Sequence, residues 1–359
     1  MKNEEGLARQ PEGEGPFATT SQGSADGSLY STSFADSKGD NAAAVHRTAD
    51  NNSSLFTLHS SLIKEEARRL GFSFCGIAAA APVASHVAEA YRRWIAARGH
   101  ADMSYLADNI EKRLDPTLLL PGARSIIVVA LNYAPERQLP DGEPQLAAYA
   151  LGKDYHDVLK QRLRLLMGHA DIFDPQAEHK IATDTVPILE RYWAVQAGLG
   201  FIGRNHQLII PRAGSMFFLG EIVTTMVASS YDEPCRLSCG SCMKCIENCP
   251  THALTGHDFY SERCLSYQTI ENRGPLSDEA ARHIGNVIYG CDRCQQVCPW
   301  NRFATPTSIP ELQPSEDLLQ MRRDDWQQLS IEKYRALFRG SAVKRAKYEG
   351  LMRNIRALS

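Results

Sequence analysis

The residues with the clearest chemical signature are four closely spaced cysteines. Cys239, Cys242, Cys245 and Cys249 are separated by two, two and three residues, and Pro250 follows the last of them. In bacterial ferredoxins this spacing lets three cysteines bind one 4Fe–4S cluster, while the fourth binds a second cluster. The run therefore predicts iron–sulfur clusters and the transfer of single electrons.

A second cysteine run downstream has the same ending but lacks a first cysteine. Cys291, Cys294 and Cys298 precede Pro299 with spacings of two and three residues. Cys264, which lies between the runs, is the natural replacement for the missing ligand. If the last cysteine of each run binds the other run's cluster, one ligand set is Cys239, Cys242, Cys245 and Cys298, and the other is Cys249, Cys264, Cys291 and Cys294.

A zinc site and disulfide bonds fit these cysteines less well than two clusters. Zinc sites usually combine isolated CxxC pairs with histidine, and no histidine stands within either run. Nine of the ten cysteines lie between Cys235 and Cys298, and in a reducing cytosol such a group indicates metal binding. Cys235 is expected to be a spare thiol, and Cys75 a small buried hydrophobic residue.

The length and charge of the chain limit what surrounds the cysteines. A chain of 359 residues predicts two or three domains, and its net charge of −3 argues against a surface coated with basic residues. No uncharged apolar run reaches the roughly 18–20 residues that a membrane helix needs. The N-terminus lacks the apolar core of a secretory signal. We therefore expect a soluble, cytoplasmic protein that does not bind membranes.

Composition divides the chain into four regions. Residues 1–54 are rich in Gly, Ser, Ala, Asp and Asn and are expected to be disordered. Residues 55–230 alternate helical patterns with short apolar strands, which predicts an α/β or α+β domain. Residues 231–300 are rich in Cys, Gly and Pro and need clusters rather than a large apolar core to hold them. Residues 301–359 read as a short, mainly helical region with a basic end.

Three elements of the second region are predicted most directly. Apolar spacing from Leu55 to Leu70 predicts a helix that stops at Gly71. The stretch "SIIVVALNY" has the continuous apolar character of a buried strand. The stretch "PILERYWAVQAGLG" predicts a helix that begins with Pro187.

Several stretches together closely resemble the epoxyqueuosine reductases, the QueG family of queuosine biosynthesis. They cover about Glu111 to Asn354 and read "KRLDPTLLLPGARSIIVVALNY", "YALGKDYHDVLKQRL", "DTVPILERYWAVQAGLGFIGRN", "FFLGEI", "CGSCMKCIENCPTHAL", "RCLSYQTIE", "IGNVIYGCDRCQQVCPWN" and "KRAKYEGLMRN". The stretch between the two cysteine runs makes this pattern far more specific than the ferredoxin spacing alone.

The resemblance implies an enzyme that reduces epoxyqueuosine to queuosine at wobble position 34 of tRNA. It implies a cobalamin-binding α/β (α+β) domain followed by a ferredoxin-like domain with two 4Fe–4S clusters, which reduce the cobalt that attacks the epoxide. Net, the reaction consumes two electrons and two protons. The familiar D-x-H-x-x-G motif is absent, so cobalamin is expected to bind without a histidine on cobalt. The expected partners are the modified tRNA and an unidentified low-potential electron donor, and the expected state is a monomer.

Three other functions fit part of the pattern. Another corrinoid reductase, such as a reductive dehalogenase, shares the domain logic but is typically exported with a twin-arginine signal, and this N-terminus has no arginine pair. A plain electron-transfer protein would leave the long N-terminal domain without a role. A tRNA-binding module whose clusters are purely structural is the third alternative.

Asp184 matches the proton donor of the family. The residue lies three positions before Pro187, so a helix N-cap or a turn is the alternative interpretation from sequence alone. An acid must carry its proton, so we expect burial to raise the pKa of Asp184.

The resemblance assigns further residues to cobalamin, each with a structural alternative. Arg113 could instead be a solvated charge at a helix end, and the glycines of "GFIGRN" could form a tight turn. Tyr155 and His156 could line the pocket or belong to the core. Hydroxyl groups beside Cys264 could bind cluster sulfurs instead. The predicted cofactor-binding residues are Arg113, Tyr149, Asp184, Gly203, Arg204, Ser266, Tyr267, Thr269 and Asp292.

Two segments are predicted to contact tRNA. Asn272 and Arg273 lie in "ENRGPL", which reads as an exposed loop. Lys344 and Arg345 begin a basic C-terminal stretch suited to phosphates. The alternative is that these charges belong to an ordinary solvated face.

Overall fold

The computed structural model describes residues 57–169, 172–256 and 258–358. The predicted disordered tail, residues 1–54, lies outside the described residues, as does the predicted helix start at Leu55. No described helix combines the length and the hydrophobicity needed to cross a bilayer.

The strands are short except for two at the centre of the main sheet. In chain order they are β1 (Thr57–Leu58), β2 (Phe74–Ala79), β3 (Ser125–Asn132), β4 (Gln145–Leu146), β5 (His179–Ala182), β6 (Phe201–Ile202), β7 (Leu208–Ile209), β8 (Phe217–Thr224), β9 (Val227–Ala228) and β10 (Val287–Tyr289).

The helices are short as well, and those around the cysteines have a single turn. In chain order they are α1 (Ser60–Arg69), α2 (Ser85–Ala96), α3 (Ile110–Leu114), α4 (Tyr155–Met167), α5 (Glu190–Gln196), α6 (Lys244–Glu247), α7 (Leu265–Ile270), α8 (Asp278–His283), α9 (Arg293–Gln296), α10 (Glu316–Leu319), α11 (Arg323–Gln327), α12 (Ile331–Leu337) and α13 (Lys347–Arg356). Short 3-10 helices cover Ser104–Leu106, Pro116–Leu118, Ala148–Ala150, Ser261–Arg263, Pro299–Phe303, Pro310–Leu312 and Ala342–Ala346.

The main sheet has the strand order β2–β3–β8–β5, and every neighbouring pair is antiparallel. The sheet is covered on both faces, because alternate side chains of β3 enter two different cores. Ile127 packs on one face with Ile63 of α1 and Leu159 of α4. Val128 packs on the other with Trp193 of α5. The predicted strand is confirmed, and its continuous apolar run reflects burial on both sides.

A third core joins the last region of the chain to the others. Trp326 and Phe338 from the C-terminal helices pack with Ile288 and Leu146. Strand β10 also pairs in parallel with β4, so segments from three of the four predicted regions share one core.

Two predicted helices begin later within the described chain than the sequence indicated. The first helix begins at Ser60, because Thr57 and Leu58 pair with β9 instead. The helix predicted to begin with Pro187 begins at Glu190, with Leu189 as its N-cap. A run of bends at residues 183–188 therefore separates Asp184 from the helix.

Candidate active site

The two cysteine runs meet where α6 packs against α9. Burial raises the pKa of the Cys245 thiol to about 11, and the nearby thiols of Cys239, Cys298 and Cys242 add to the shift. Cys298 thus lies with the first run, although it ends the second run in sequence.

The remaining ligands form a second group. Burial raises the pKa of the Cys294 thiol well above its ordinary value, with Cys264 and Cys291 as the nearest contributing thiols. Cys249 lies close enough to Cys264 to add to the rise in the pKa of the Cys264 thiol, which burial mainly causes. The structure therefore places members of each predicted ligand set near one another.

The two leftover cysteines lie apart from these groups. Cys75 is part of β2 and half-buried, and burial raises the pKa of its thiol to about 12. Cys235 is half-buried in the segment before the first run.

An inner cavity of about 580 Å³ lies beside the second cysteine group. All four cysteines of that group line it, together with Asp184 on another part of its wall. An outer chamber of about 1050 Å³ continues from it and reaches Lys344 and Arg345. The two spaces share the wall residues Met103, Tyr105, Arg113, Tyr149, Tyr155, Asp184, Phe259, Ser261, Cys264 and Ser266.

Asp184 sits on a turn after β5, in the left-handed backbone region at φ 50°. Its Oδ2 accepts a hydrogen bond from the Tyr155 hydroxyl at 2.8 Å, and His156 Nε2 lies 3.4 Å away. Its backbone N–H donates to Glu190 Oε1 at 2.5 Å. The N-cap interpretation is wrong, because α5 begins at Glu190 and its N-cap is Leu189.

The pKa of Asp184 differs from the expectation. The side chain is 62% exposed and lines the inner cavity. Burial pushes the pKa upward, yet hydrogen bonds from His156 and Tyr155 outweigh it, and the pKa is lowered. The expected rise is therefore wrong for this residue. It occurs instead at Glu190, whose pKa burial raises to about 7, with the charge of Asp184 adding to the effect.

His156 is held between two carboxylates. Asp154 caps α4 by accepting from the His156 backbone N–H at 3.1 Å, and the same oxygen lies 2.7 Å from the ring Nδ1. Burial would lower the pKa of His156, but the hydrogen bonds to Asp154 and Asp184 raise it to about 9. The ring also stacks on Tyr155 at 4.1 Å. The first turn of α4 therefore supplies Asp184 with a phenol and a charged imidazolium.

Arg113 is not the solvated charge of the alternative interpretation. It lies in α3 and is only 9% exposed. One Nη donates to the Tyr105 carbonyl at 2.9 Å, while its buried Nε has no partner among the described residues. The residue lines both the inner cavity and the outer chamber.

Four other predicted cofactor residues also line these spaces. Tyr149 and Ser266 face both of them. Tyr267 faces the outer chamber and donates to Asp102 Oδ2 at 2.8 Å. Asp292 faces the inner cavity and accepts from the Ala148 N–H at 2.6 Å.

Three predicted cofactor residues are absent from the cavity and chamber walls as far as the chain is described. Gly203 and Arg204 belong to the β6–β7 turn, and Arg204 donates to the Gly240 carbonyl beside the first cysteine run at 3.2 Å. Thr269 is fully buried, and its hydroxyl donates to the Leu265 carbonyl at 2.7 Å. The structure gives these residues backbone-supporting contacts.

The four predicted tRNA residues are neighbours. Arg273 donates to the Arg345 carbonyl at 2.8 Å, and Arg345 forms a two-point contact with Glu271 at 2.7 and 2.8 Å. Asn272 supports its own loop by accepting from the Gly274 N–H. Lys344 is exposed and lines the outer chamber.

Sequence analysis missed two acids near Asp184. Glu190 begins α5 and lines the inner cavity. Glu221 lies in β8 and is fully buried. The available signal was a charged residue inside the otherwise apolar strand "FFLGEIVT", since such residues are rarely buried without a purpose.

Comparisons with known proteins agree with this arrangement. Residues 113–185 match the family model described as epoxyqueuosine reductase QueG, DUF1730, and residues 238–301 match a 4Fe–4S double cluster binding domain. The chain is 41% identical to an epoxyqueuosine reductase of Leadbetterella byssophila over 297 residues, which cover 83% of this chain and 97% of that protein.

Solved structures give the same result. An epoxyqueuosine reductase crystallised with a tRNA-Tyr epoxyqueuosine-modified stem loop has a TM-score of 0.74 and 30% identity, covering 83% of this chain and 80% of that one. A Bacillus subtilis epoxyqueuosine reductase, with its catalytic aspartate loop swung out of the active site, has a TM-score of 0.72 and 30% identity over the same shares. This chain is therefore a member of the epoxyqueuosine reductase family.

Proposed function

We propose that this protein reduces epoxyqueuosine to queuosine at wobble position 34 of tRNA, with cobalamin and with electrons delivered through two 4Fe–4S clusters. The observation that carries the proposal is the continuous space between the second cysteine group, Asp184 and the basic rim at Lys344. It supports a route for electrons at one end, an acid in the middle and an entrance for a nucleic acid at the other end.

The walls of the inner cavity fit cobalamin chemically. The unpartnered Nε of Arg113 is a buried donor at the wall, and such a group calls for an acceptor. Corrin side chains carry amide carbonyls, which are acceptors. The residues that we assign to cobalamin binding are Arg113, Tyr149, Ser266, Tyr267 and Asp292. Gly203, Arg204 and Thr269 are not assigned to cobalamin, because they lie outside the cavity and chamber walls of the described chain. When bound, cobalamin supplies a low-valent, strongly nucleophilic cobalt for cleavage of the epoxide C–O bond.

The electron route follows the cysteine groups. Cys245 of the first group lies close enough to Cys294 of the second to influence its pKa, so the two clusters would be adjacent. Only the second group lines the inner cavity within the described chain. We infer that electrons enter at the cluster of Cys239, Cys242, Cys245 and Cys298 and leave from the cluster of Cys249, Cys264, Cys291 and Cys294.

Asp184 is assigned as the residue that passes protons to the departing oxygen. Because hydrogen bonds from Tyr155 and His156 hold its pKa low, it is mostly ionised at neutral pH. His156, whose pKa is about 9, is charged under the same conditions and lies next to it. We therefore infer that Asp184 receives protons from neighbouring protonated groups and passes them to the substrate.

Lys344 is expected to contribute a phosphate contact for tRNA. Replacing it with alanine should weaken binding of an anticodon stem loop several-fold and reduce the slope of log K against log salt concentration by about one. Fluorescence anisotropy at several salt concentrations measures both. Arg164→Ala is the matched control, because Arg164 is exposed at the far end of α4 and outside the chamber walls. An unchanged salt slope in the Lys344 variant would remove it from the interface.

A product assay tests the function itself. The protein is reconstituted anaerobically with iron, sulfide and cobalamin and given a reductant and an epoxyqueuosine-bearing stem loop. Loss of one oxygen mass from the nucleoside is the expected result. If both cofactors are verified and the mass does not change, the proposed function is wrong. A cytoplasmic location, a monomeric state and an unidentified low-potential donor complete the proposal.

A further inference from the structure

We propose that Glu190 is a proton store that recharges Asp184 during turnover. The inference rests on the proposed function, because conversion of an epoxide to an alkene and water takes up two protons for each substrate. Asp184 is ionised at rest and can pass on one proton at a time, so neighbouring groups must supply both protons in turn.

The Glu190 carboxyl contacts the backbone of Asp184. Glu190 is the first residue of α5, and its Oε1 accepts the Asp184 backbone N–H at 2.5 Å. Both side chains line the inner cavity. A proton leaving Glu190 therefore has Asp184 as a neighbouring acceptor on the same wall.

Glu221 extends this acidic group into the protein. It is fully buried, and neither carboxyl oxygen has a hydrogen-bond partner among the described residues. In register it lies opposite Ala182, two residues before Asp184. The Thr183 hydroxyl and the Trp193 indole N–H are also buried and have no partner within the part of the chain that the structure describes. A buried, unpaired carboxylate is costly, so Glu221 is held in its protonated form.

The electrostatics separate the roles of these acids. Burial raises the pKa of Glu190 to about 7, and burial raises the pKa of Glu221 well above its usual range. The pKa of Asp184 is lowered by its donors despite burial. Pairs of acids whose environments push their pKa values apart commonly divide proton storage from proton delivery. The titratable and charged groups that act on Glu190 or on which it acts are Asp184, Tyr155, His156, Arg191 and Glu221.

The proposed step moves one proton and no electron. Asp184 first takes a proton from the neighbouring His156 imidazolium, whose N–H bond breaks, and gives that proton to the oxygen of the substrate. The O–H bond of the Glu190 carboxyl then breaks and an O–H bond forms on Asp184. Glu190 becomes a carboxylate and regains a proton from solvent in the cavity between turnovers. The two electrons come through the clusters, as in the proposed function.

The pH dependence follows from the sign of the shift. Glu190 is protonated below pH 7 and ionised above it. The Glu190 carboxyl therefore holds its proton in mildly acidic solution and loses it as the pH rises through about 7. We expect kcat of the wild-type protein to fall through the same interval.

Glu190→Gln is the informative variant, because its amide oxygen still accepts the Asp184 N–H while the side chain can no longer carry a transferable proton. The first measurement is infrared difference spectroscopy between pH 5.5 and 8.5 on the protein without cobalamin. A protonated-carboxyl band that titrates near pH 7 should be present in the wild type and absent from the variant. Glu178→Gln, an exposed glutamate outside the cavity walls, should keep the band. A band that survives in Glu190→Gln overturns the inference.

The second measurement is the pH profile of turnover. Glu190→Gln should lower kcat below pH 7 roughly a hundredfold, the low end for a positioned acid, and should abolish the fall near pH 7. A variant with wild-type kcat and profile overturns the proton store while leaving the proposed function intact. If the wild type makes no queuosine, the proposed function fails, and the infrared titration still decides whether Glu190 stores a proton.

Discussion

Replacing Asp184 with asparagine should lower kcat at least about a hundredfold, because a positioned side chain that transfers protons contributes that much or more. Asparagine is the appropriate substitution for two reasons. It tolerates the left-handed backbone that Asp184 adopts at φ 50°. Its amide oxygen can still accept from the Tyr155 hydroxyl, which Asp184 does now at 2.8 Å. The variant therefore removes the transferable proton with little change in structure.

The loss should be confined to turnover. Iron content, cobalamin uptake by absorption spectroscopy and stem-loop affinity are all expected to match the wild type, since none of these depends on proton transfer. Asp141→Asn is the control, because Asp141 is exposed in a distant turn. Wild-type product formation by Asp184→Asn under single-turnover conditions would remove Asp184 from the chemistry.

A low pKa at the residue that meets the substrate is compatible with an acid role. Asp184 is ionised at rest because Tyr155 and His156 donate to it, but two neighbours hold protons at neutral pH. His156 has a pKa of about 9 and Glu190 a pKa of about 7. Two groups next to Asp184 thus hold one proton each, and the reaction consumes two protons. Asp184 passes both of them to the substrate. The raised pKa in this group is that of Glu190, whereas the sequence analysis expected it at Asp184.

The cysteine groups could be predicted from sequence because cluster chemistry fixes ligand spacing. Strand β3 was equally accessible, since a run that is apolar at every position indicates burial on both faces. Each of these two signals is contained in a short segment of the sequence. They do not depend on knowing which distant segments fold together.

The surroundings of Asp184 were not accessible in the same way. Its donors, Tyr155 and His156, come from a helix start that precedes it by almost thirty positions, and only the tertiary fold joins them. Thr269 shows the converse error. It lies one helical turn after Ser266 in α7, yet its hydroxyl bonds within the helix while Ser266 faces the cavity. Proximity in sequence to a cluster ligand therefore does not decide which side chain meets a cofactor.

Cys249 and Cys298, the last cysteines of the two runs, are each assigned to the other run's cluster. This assignment predicts a large effect on iron content. The wild type should bind about eight iron ions. The double variant Cys242→Ala with Cys298→Ala should keep about four of them, because both residues are assigned to the same cluster. The double variant Cys294→Ala with Cys298→Ala should lose both clusters and bind almost none. Iron analysis after anaerobic reconstitution separates the two variants directly.

The same two double variants also test the alternative assignment of cysteines to clusters. If each run bound its own cluster, Cys294 and Cys298 would share one site, and their double variant would keep about four iron ions. Removing Cys242 and Cys298 together would then empty both sites, the reverse of our expectation. Cys235→Ala serves as the control for substitution of a nearby thiol outside the ligand sets and should retain full iron content. The crossed result would also explain why Cys298 lies beside Cys245 in the fold, since the final cysteine of the second run completes a cluster begun by the first.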